Sequence, residues 1–268
     1  LKARAGMPVL FLSILLYIGA VLLVIWGAVL LEAGRGIGAL PLVGGIIWLV
    51  IGFIPFMGLK VIKPQEALVL TLFGRYIGTL RDEGFWFVHP FSTSVNPAAK
   101  TRLGQSADVD SGAKLSIASG NNAAQVEMPN KKISLKVMTL NNSKQKVNDC
   151  LGNPIEIGIA VMWRVVDTAK AAFTVDNYKE YLSLQCDSAL RNIVRIYPYD
   201  VAPGVDTTGD GEPDEGSLRG SSGVVSERIR AEIQQKVEPA GLEIIEARIT
   251  YLAYAPEIAA VMLQRQQA

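Results

Sequence analysis

Met7 to Leu31 is twenty-five consecutive residues without a charge, "MPVLFLSILLYIGAVLLVIWGAVLL", and Ile37 to Leu59 is a second uncharged run of twenty-three. A helix rises about 1.5 Å per residue and needs about 20 residues to cross a hydrocarbon core, so each run suffices. A cleaved signal peptide would carry an apolar stretch of only about 7–15 residues. A core helix of a water-soluble domain keeps a polar face, and neither run has one. The connector "EAGRG" is turn-rich and forces a helical hairpin with both ends on one side. Pro41 and Pro55 can kink the second span, which a membrane helix tolerates when neighbours satisfy the freed carbonyls. Lys2, Arg4, Lys60 and Lys63 flank the open end against Arg35 at the tip. The positive-inside rule then puts everything after the hairpin in the cytoplasm, and a re-entrant hairpin gives the same orientation. Trp26 and Trp48, toward the tip, mark an interface there or simply face lipid.

The rest of the chain is of ordinary composition. Across 268 residues, 26 basic against 25 acidic side chains leave a net charge of +1. That provides no basic field for nucleic acid, which is not an expected partner. Cys150 and Cys186 share no metal or redox spacing, so buried or inert thiols are expected rather than a disulfide. His89 is the one histidine, has no sequence partner for base catalysis, and is expected to be structural. The chain opens at Leu1 without an initiator Met and stops at "MLQRQQA" in mid-helix, so both ends are expected to be truncated.

Short β-rich stretches follow the second run. "ALVLTLF" (67–73) and "GFWFVHPF" (84–91) read as strands, with "RYIG" as the hairpin region between them. Gly104 to Ala124 is polar and reads as a loop or ragged hairpin. "KISLKVMTL" places Ile133, Leu135 and Val137 on one face and Ser134, Lys136 and Met138 on the other. "NPIEIGIAVMWRV" alternates through Ile155, Ile157, Ile159, Val161 and Trp163, joined to the previous strand by the turn "NDCLGN". The period then becomes helical. Phe173, Tyr178, Leu182, Ala189, Ile193 and Ile196 recur over 168–197. Val225, Ile229, Ile233 and Val237 stripe a helix over 224–238, with Ser221 or Ser222 as cap and Gly241 as terminator. "LEIIEARITYLAY" is a further strand, and Pro256 opens a last helix. The order is that of an α+β domain with an antiparallel sheet and packed helices.

Three segments, in order, carry a resemblance. "VIKPQEALVLTLFGRYIGTLRDEGFWFVHPF", "GNPIEIGIAVMWRVVDTAKAAFTVDNY" and "AGLEIIEARITYLAYAPEIAAVMLQRQQA" resemble the SPFH (band 7) family of stomatins, prohibitins, flotillins and the HflK/HflC proteins, over about Lys60 to Ala268. The two-span hairpin departs from members with a single N-terminal span. With the transmembrane hairpin read from the two runs at 1–59 (spans about 7–31 and 37–59), the resemblance implies SPFH subdomains at 60–142 and 143–255, and the start of a long helix or coiled coil at 256–268. It implies a non-enzymatic scaffold in a membrane, in bacteria the plasma membrane, that tiles with itself into a ring or cage around a lipid microdomain. It also implies a role in membrane-protein quality control, with an FtsH-like AAA protease or other membrane proteins as partners. A membrane-bound enzyme or a channel accessory subunit is the rival reading. No nucleophile–base pair supports the enzyme, and no charge inside either span supports an ion path.

Phe85, Trp86 and Phe87 are the candidate membrane-interface residues, either touching headgroups or filling the sheet core. Glu227 and Arg230, on the polar side of the helix near 224–238, are candidates for lateral contacts between copies, with Met262 and Arg265 on the last helix. No catalytic, cofactor or metal residues are predicted. The stretch "DTTGDGEPDEG" spaces Asp206, Asp210 and Asp214 like half of a calcium loop. Thr208 and Ser217 stand where ligands are needed, so a solvated acidic loop is expected.

Overall fold

The computed structural model describes residues 4–101, 103, 112–117, 124–129, 131–142, 144–200 and 216–267; of 112–117, 124–129 and 262–267 it describes the backbone alone. Leu1–Val95 and Asn96–Ala268 form two compact units, divided within the stretch 60–142.

The first unit begins with β1 (Arg4–Ala5) and the 27-residue α1 (Gly6–Glu32), then a 3-10 turn at Gly36–Gly38, α2 (Ala39–Ile51) and α3 (Ile54–Met57). The two arms meet through small residues. Gly6, Ser13, Ala20 and Gly27, seven apart, are the buried residues of α1, and Gly38, Gly45 and Gly52 keep the same interval on the other arm. A methyl group on Gly27 would lie 2.6 Å from the Leu42 nitrogen, and one on Gly45 2.6 Å from Val24 Cγ2. Backbone therefore approaches backbone along a seven-residue seam, the interval that keeps two helices in register. Only 11% and 17% of the most apolar windows of Gly6–Glu32 and Gly36–Met57 are buried, so these are not core helices, and both are long and apolar enough to cross a membrane. The second arm breaks at Gly52–Phe53, ahead of Pro55. The Tyr17 hydroxyl crosses from α1 to donate to the Leu49 carbonyl at 2.6 Å, in the last turn before the break. A bilayer requires such compensation where a helix is interrupted.

Below the arms lie two small antiparallel sheets. β5 (Gly84–Phe87) sits between β1 and β2 (Leu59–Ile62), while β3 (Glu66–Leu72) sits between β4 (Arg75–Leu80) and β6 (Thr93–Val95). "RYIG" is therefore not the turn: Arg75, Tyr76, Ile77 and Gly78 are strand, and β3 pairs with β4 rather than with the aromatic run. The turn is Phe73–Gly74, both at positive φ (48° and 82°), as a two-residue hairpin loop demands. Phe73 is 87% exposed there. A phenylalanine rarely adopts that backbone, so residue type alone does not announce the turn.

The second unit contains the paired β7 (Gly112–Ile117) and β8 (Ala124–Pro129), then β9 (Ile133–Ser134), β10 (Met138–Asn141), β11 (Gln145–Asn148) and β12 (Pro154–Val165). The chain continues as α4 (Thr168–Phe173), α5 (Tyr178–Val194), α6 (Ser222–Val237), a 3-10 turn at Glu238–Ala240, β13 (Leu242–Tyr254) and α7 (Pro256–Gln267). β12 is the central strand: β13 runs along its whole length on one side, and β10 and β11 pair in line on the other. Ile155, Ile157, Ile159, Val161 and Trp163 are all fully buried, as their alternation predicts. So are Val225, Ile229, Ile233 and Val237 on α6 and Leu182, Cys186 and Ala189 on α5. α6 also closes part of the β13 edge: Gln234 accepts from the Ile244 N–H at 2.7 Å and donates to the Leu242 carbonyl at 3.3 Å.

Three further expectations are corrected here. The stretch 132–140 is not one strand; a bend at Lys136 separates β9 from β10, so Met138 and Leu140 turn inward and Val137 is 52% exposed. A one-residue shift moves every following side chain to the other face. The helix expected over 168–197 is two, because Asn177 accepts from the Lys179 and Glu180 N–H groups and caps a new helix. Phe173 and Ile196 consequently lie exposed outside the stripe. Ser221 holds the N-cap position of α6 without a side-chain cap bond, and Ser222 is already helical. Gly241 does terminate the region, at φ 70°, with its carbonyl accepting from Val166 and Asp167 N–H at 2.9 and 3.0 Å. α7 covers twelve residues, and a longer coiled coil is not among the described residues.

Candidate functional site

The base of the hairpin is the site where the predicted aromatic residues converge. In β5, Phe87 lies opposite both Arg4 and Leu59, Trp86 opposite Ala5 and Lys60, and Phe85 opposite Val61. Alternation places Phe85 and Phe87 on one face and Trp86 on the other. The Phe85 ring occupies the space beside Gly6, where an added methyl would be 2.7 Å from Cδ1. The Phe87 ring covers Gly58 in the same manner, with Cε2 at 2.7 Å. Two glycines at the feet of the two arms are thus each roofed by a phenylalanine of one strand. Trp86 packs on the first unit's core of Ile62, Leu68, Leu70, Leu80 and Val88, and its indole N–H donates to the Asp82 carbonyl at 3.1 Å. All three aromatics are half-buried. Exposed Val61 shares the face of Phe85 and Phe87, and exposed Arg4 stands opposite Phe87.

The α6 candidates are engaged with each other. Arg230 donates through Nε to both Glu227 oxygens (2.8 and 2.9 Å) and through Nη2 to Oε1 at 2.6 Å. That hydrogen bond, ahead of the charge attraction, holds the Glu227 carboxyl below its ordinary range and the Arg230 guanidinium above its own. Arg230 Nη1 also reaches the Ile244 carbonyl at 3.5 Å, so the side chain joins α6 to β13. Met262 and Arg265 are helical in backbone, and their side chains lie outside the described residues. At the start of the same helix, Lys146 pairs with Glu257 at 2.5 Å.

Further polar residues have structural placements. Burial, then the neighbouring Asp187, pushes the Cys186 thiol up to about 12, far from thiolate chemistry at neutral pH. Cys150 is half-buried and also free of disulfide. His89 Nδ1 accepts from the Phe91 N–H at 3.3 Å, and its carbonyl accepts from Ser92, which makes it part of a turn. Asp149, missed in the sequence, is buried and accepts from Leu151, Asn153 and Tyr199 N–H groups and from the Asn153 amide. It fixes the turn between β11 and β12. Asp206, Thr208, Asp210 and Asp214 lie outside the described residues, as do Leu1 and Lys2. Ser217 is buried, with its hydroxyl accepting from the Gly220 N–H. Among the described residues, no three acidic, His or Cys side chains cluster to hold a metal.

The family model for the SPFH domain, Band 7 family, matches residues 60–268. The chain belongs to the SPFH / Band 7 family. The match starts at Lys60 in β2, so β5 and its aromatic residues are SPFH sequence, while α1 to α3 precede the matched region. The SPFH assignment covers every described strand except β1. A search among curated proteins finds no match. SPFH proteins are generally membrane scaffolds and typically not enzymes, and the two apolar helices agree with membrane association here.

Proposed function

We propose that this SPFH protein is a hairpin-anchored, non-enzymatic scaffold that assembles with copies of itself into a ring or cage and organises the enclosed bilayer. The observation that carries this reading is the joint between anchor and domain. Phe85 and Phe87 seat directly on Gly6 and Gly58, so no flexible tether separates membrane helices from sheet. A rigid joint suits a subunit that must hold the opening sheet of its SPFH domain at fixed height over lipid, while a tethered enzyme has no need of one. The open end, with Arg4, Lys60 and Lys63, belongs in the cytoplasm, in bacteria beneath the plasma membrane. Phe85, Phe87 and Val61 would then lie at headgroup level. Association with an FtsH-like AAA protease or other membrane proteins would make the assembly a regulator of protein quality control.

The test is native mass measurement in nanodiscs. A large oligomer is expected for the full chain, and a truncation after Ala255 is expected to dissociate it. Arg230→Glu, which breaks the Glu227 pair and the Ile244 contact, is expected to loosen the oligomer and make it salt-sensitive. A full chain that stays monomeric at membrane density ends the scaffold reading.

A further inference from the structure

The break in the second arm opens a groove of about 410 Å³ on the hairpin, walled by Ile14, Tyr17, Ile18, Val21 and Leu22 of α1 and by Phe56 of α3. Its volume is within the ~300–1,000 Å³ of small-molecule sites. The lining is carbon throughout except for the Tyr17 hydroxyl, which is occupied by the Leu49 carbonyl. Phe56 is held in place by edge contact with the Tyr17 ring at 6.1 Å and by stacking on Phe53 at 6.4 Å. From Ile14 to Leu22 is eight residues, or about 12 Å of helix, beginning about 12 Å above Gly6. With Gly6 at the membrane surface, that is the depth of the acyl chains in a hydrocarbon core about 30 Å thick.

We infer that this groove seats one acyl chain of a bilayer phospholipid, holding it against the hairpin. A helix of a second copy is the other conceivable occupant, and two observations oppose it. Stable protein interfaces use about 20–30 residues a side, against six here. Helices associate in lipid through small residues, and none of the six residues lining the groove is small, while Gly6, Ser13, Ala20 and Gly27 lie inside the hairpin. What remains on the rim is bulky and branched, with no charge to pair, which suits a flexible chain. The inference rests on the hairpin being in the bilayer, a premise it shares with the scaffold reading. It adds that each subunit brings ordered lipid with it.

The experiment uses the full chain in vesicles of phosphatidylethanolamine and phosphatidylglycerol, the latter carrying a photoreactive diazirine in the distal half of one acyl chain. Adducts on Ile14–Leu22 and Phe56 are expected to exceed those on Leu40 and Val50, which are 77% and 73% exposed, by about fivefold or more. Val21→Trp, which fills the groove, is expected to bring labelling down to the Leu40 level with helix content unchanged. Phe56→Leu, which lowers one wall, is expected to give an intermediate yield. Uniform labelling unaffected by either variant overturns the inference, as do cross-links from Ile14 or Ile18 to α1 of another copy. Oligomer mass is read from the same samples. An intact oligomer with uniform labelling rejects the lipid seat alone, and a monomer with groove labelling rejects the scaffold alone.

Discussion

The hairpin and the β12–β13 layer are both tightly packed, by opposite means. Between α1 and α2 the contact surface is made by leaving side chains out, so that Gly27 and Gly45 admit the backbone of the other arm. Under α5 and α6 it is made by putting large ones in, with Trp163, Leu182, Leu190 and Ile229 fully buried. With the arms in a bilayer, as proposed, the difference follows from the solvent. Water drives apolar groups together, so a water-facing domain gains from every buried methylene. Lipid is as apolar as leucine and offers no such gain, so helices in it hold together by close approach and hydrogen bonds such as Tyr17 to Leu49.

Removing bulk should therefore break one region and adding it should break the other. Trp163→Ala is expected to destabilise the domain by about 3–5 kcal/mol, read from the urea midpoint of near-ultraviolet circular dichroism. Gly27→Leu is expected to cost about 1–3 kcal/mol of arm packing, seen as a longer distance between spin labels at Leu16 and Val50. The reciprocal control is Leu15→Ala on the outer face of α1, where lipid replaces the lost contacts. Its effect on the same distance and on thermal stability should stay within about 0.5 kcal/mol. A loss comparable to Trp163→Ala would remove the distinction between the regions.

The smallest effect is electrostatic, at the Lys146–Glu257 pair. The hydrogen bond to Lys146 lowers the Glu257 carboxyl from 4.5, and the same bond raises the Lys146 ammonium from 10.5. A lowered acid stabilises fully above its unfolded value and loses that contribution as pH falls through the folded value. A raised base stabilises fully below its unfolded value and loses it as pH rises through the folded one. Hydrogen exchange at the first turn of α7 should thus be slowest, relative to the Glu257→Gln variant, between about pH 5 and 10. The protection should shrink below about pH 4 and in high salt, both groups being exposed. A difference that grows on acidification would contradict the pairing.

How much was legible follows the same division of solvents. Patterns enforced by burial in water were readable: the alternation through Ile155–Trp163 and the stripe Val225–Val237 both stand as written. Local backbone events were not. The bend at Lys136 reverses the parity of a pattern that looks continuous, and a two-residue strand such as Arg4–Ala5 is too short to have a period. Asn177 was a visible cap just before a helical run, and its signal was masked by apolar spacing that continued across it. In the apolar runs, absence of charge identified the arms but concealed the spacing of small residues that makes them a pair. At the site, Phe85, Trp86 and Phe87 were named from composition. Their split between two faces needed the register of β5 between β1 and β2. Glu227 and Arg230, the candidates for contacts between copies, are three residues apart on one helix and pair with each other.

The junction into α7 has a consequence for curvature. Ala255 N–H is bonded to the Pro154 carbonyl at 2.9 Å, Pro256 fixes the first helical φ, and Glu257 is held by Lys146. Ala255 and Glu257 thus tie the helix to the two strands of the β11–β12 hairpin, with Pro256 setting the first turn between them, and the helix leaves the domain on a fixed heading. In any array of identical subunits touching through that helix, the heading acts as the bevel on a barrel stave. A small change of bevel alters little within one stave, yet it accumulates around the hoop and decides whether the last stave meets the first.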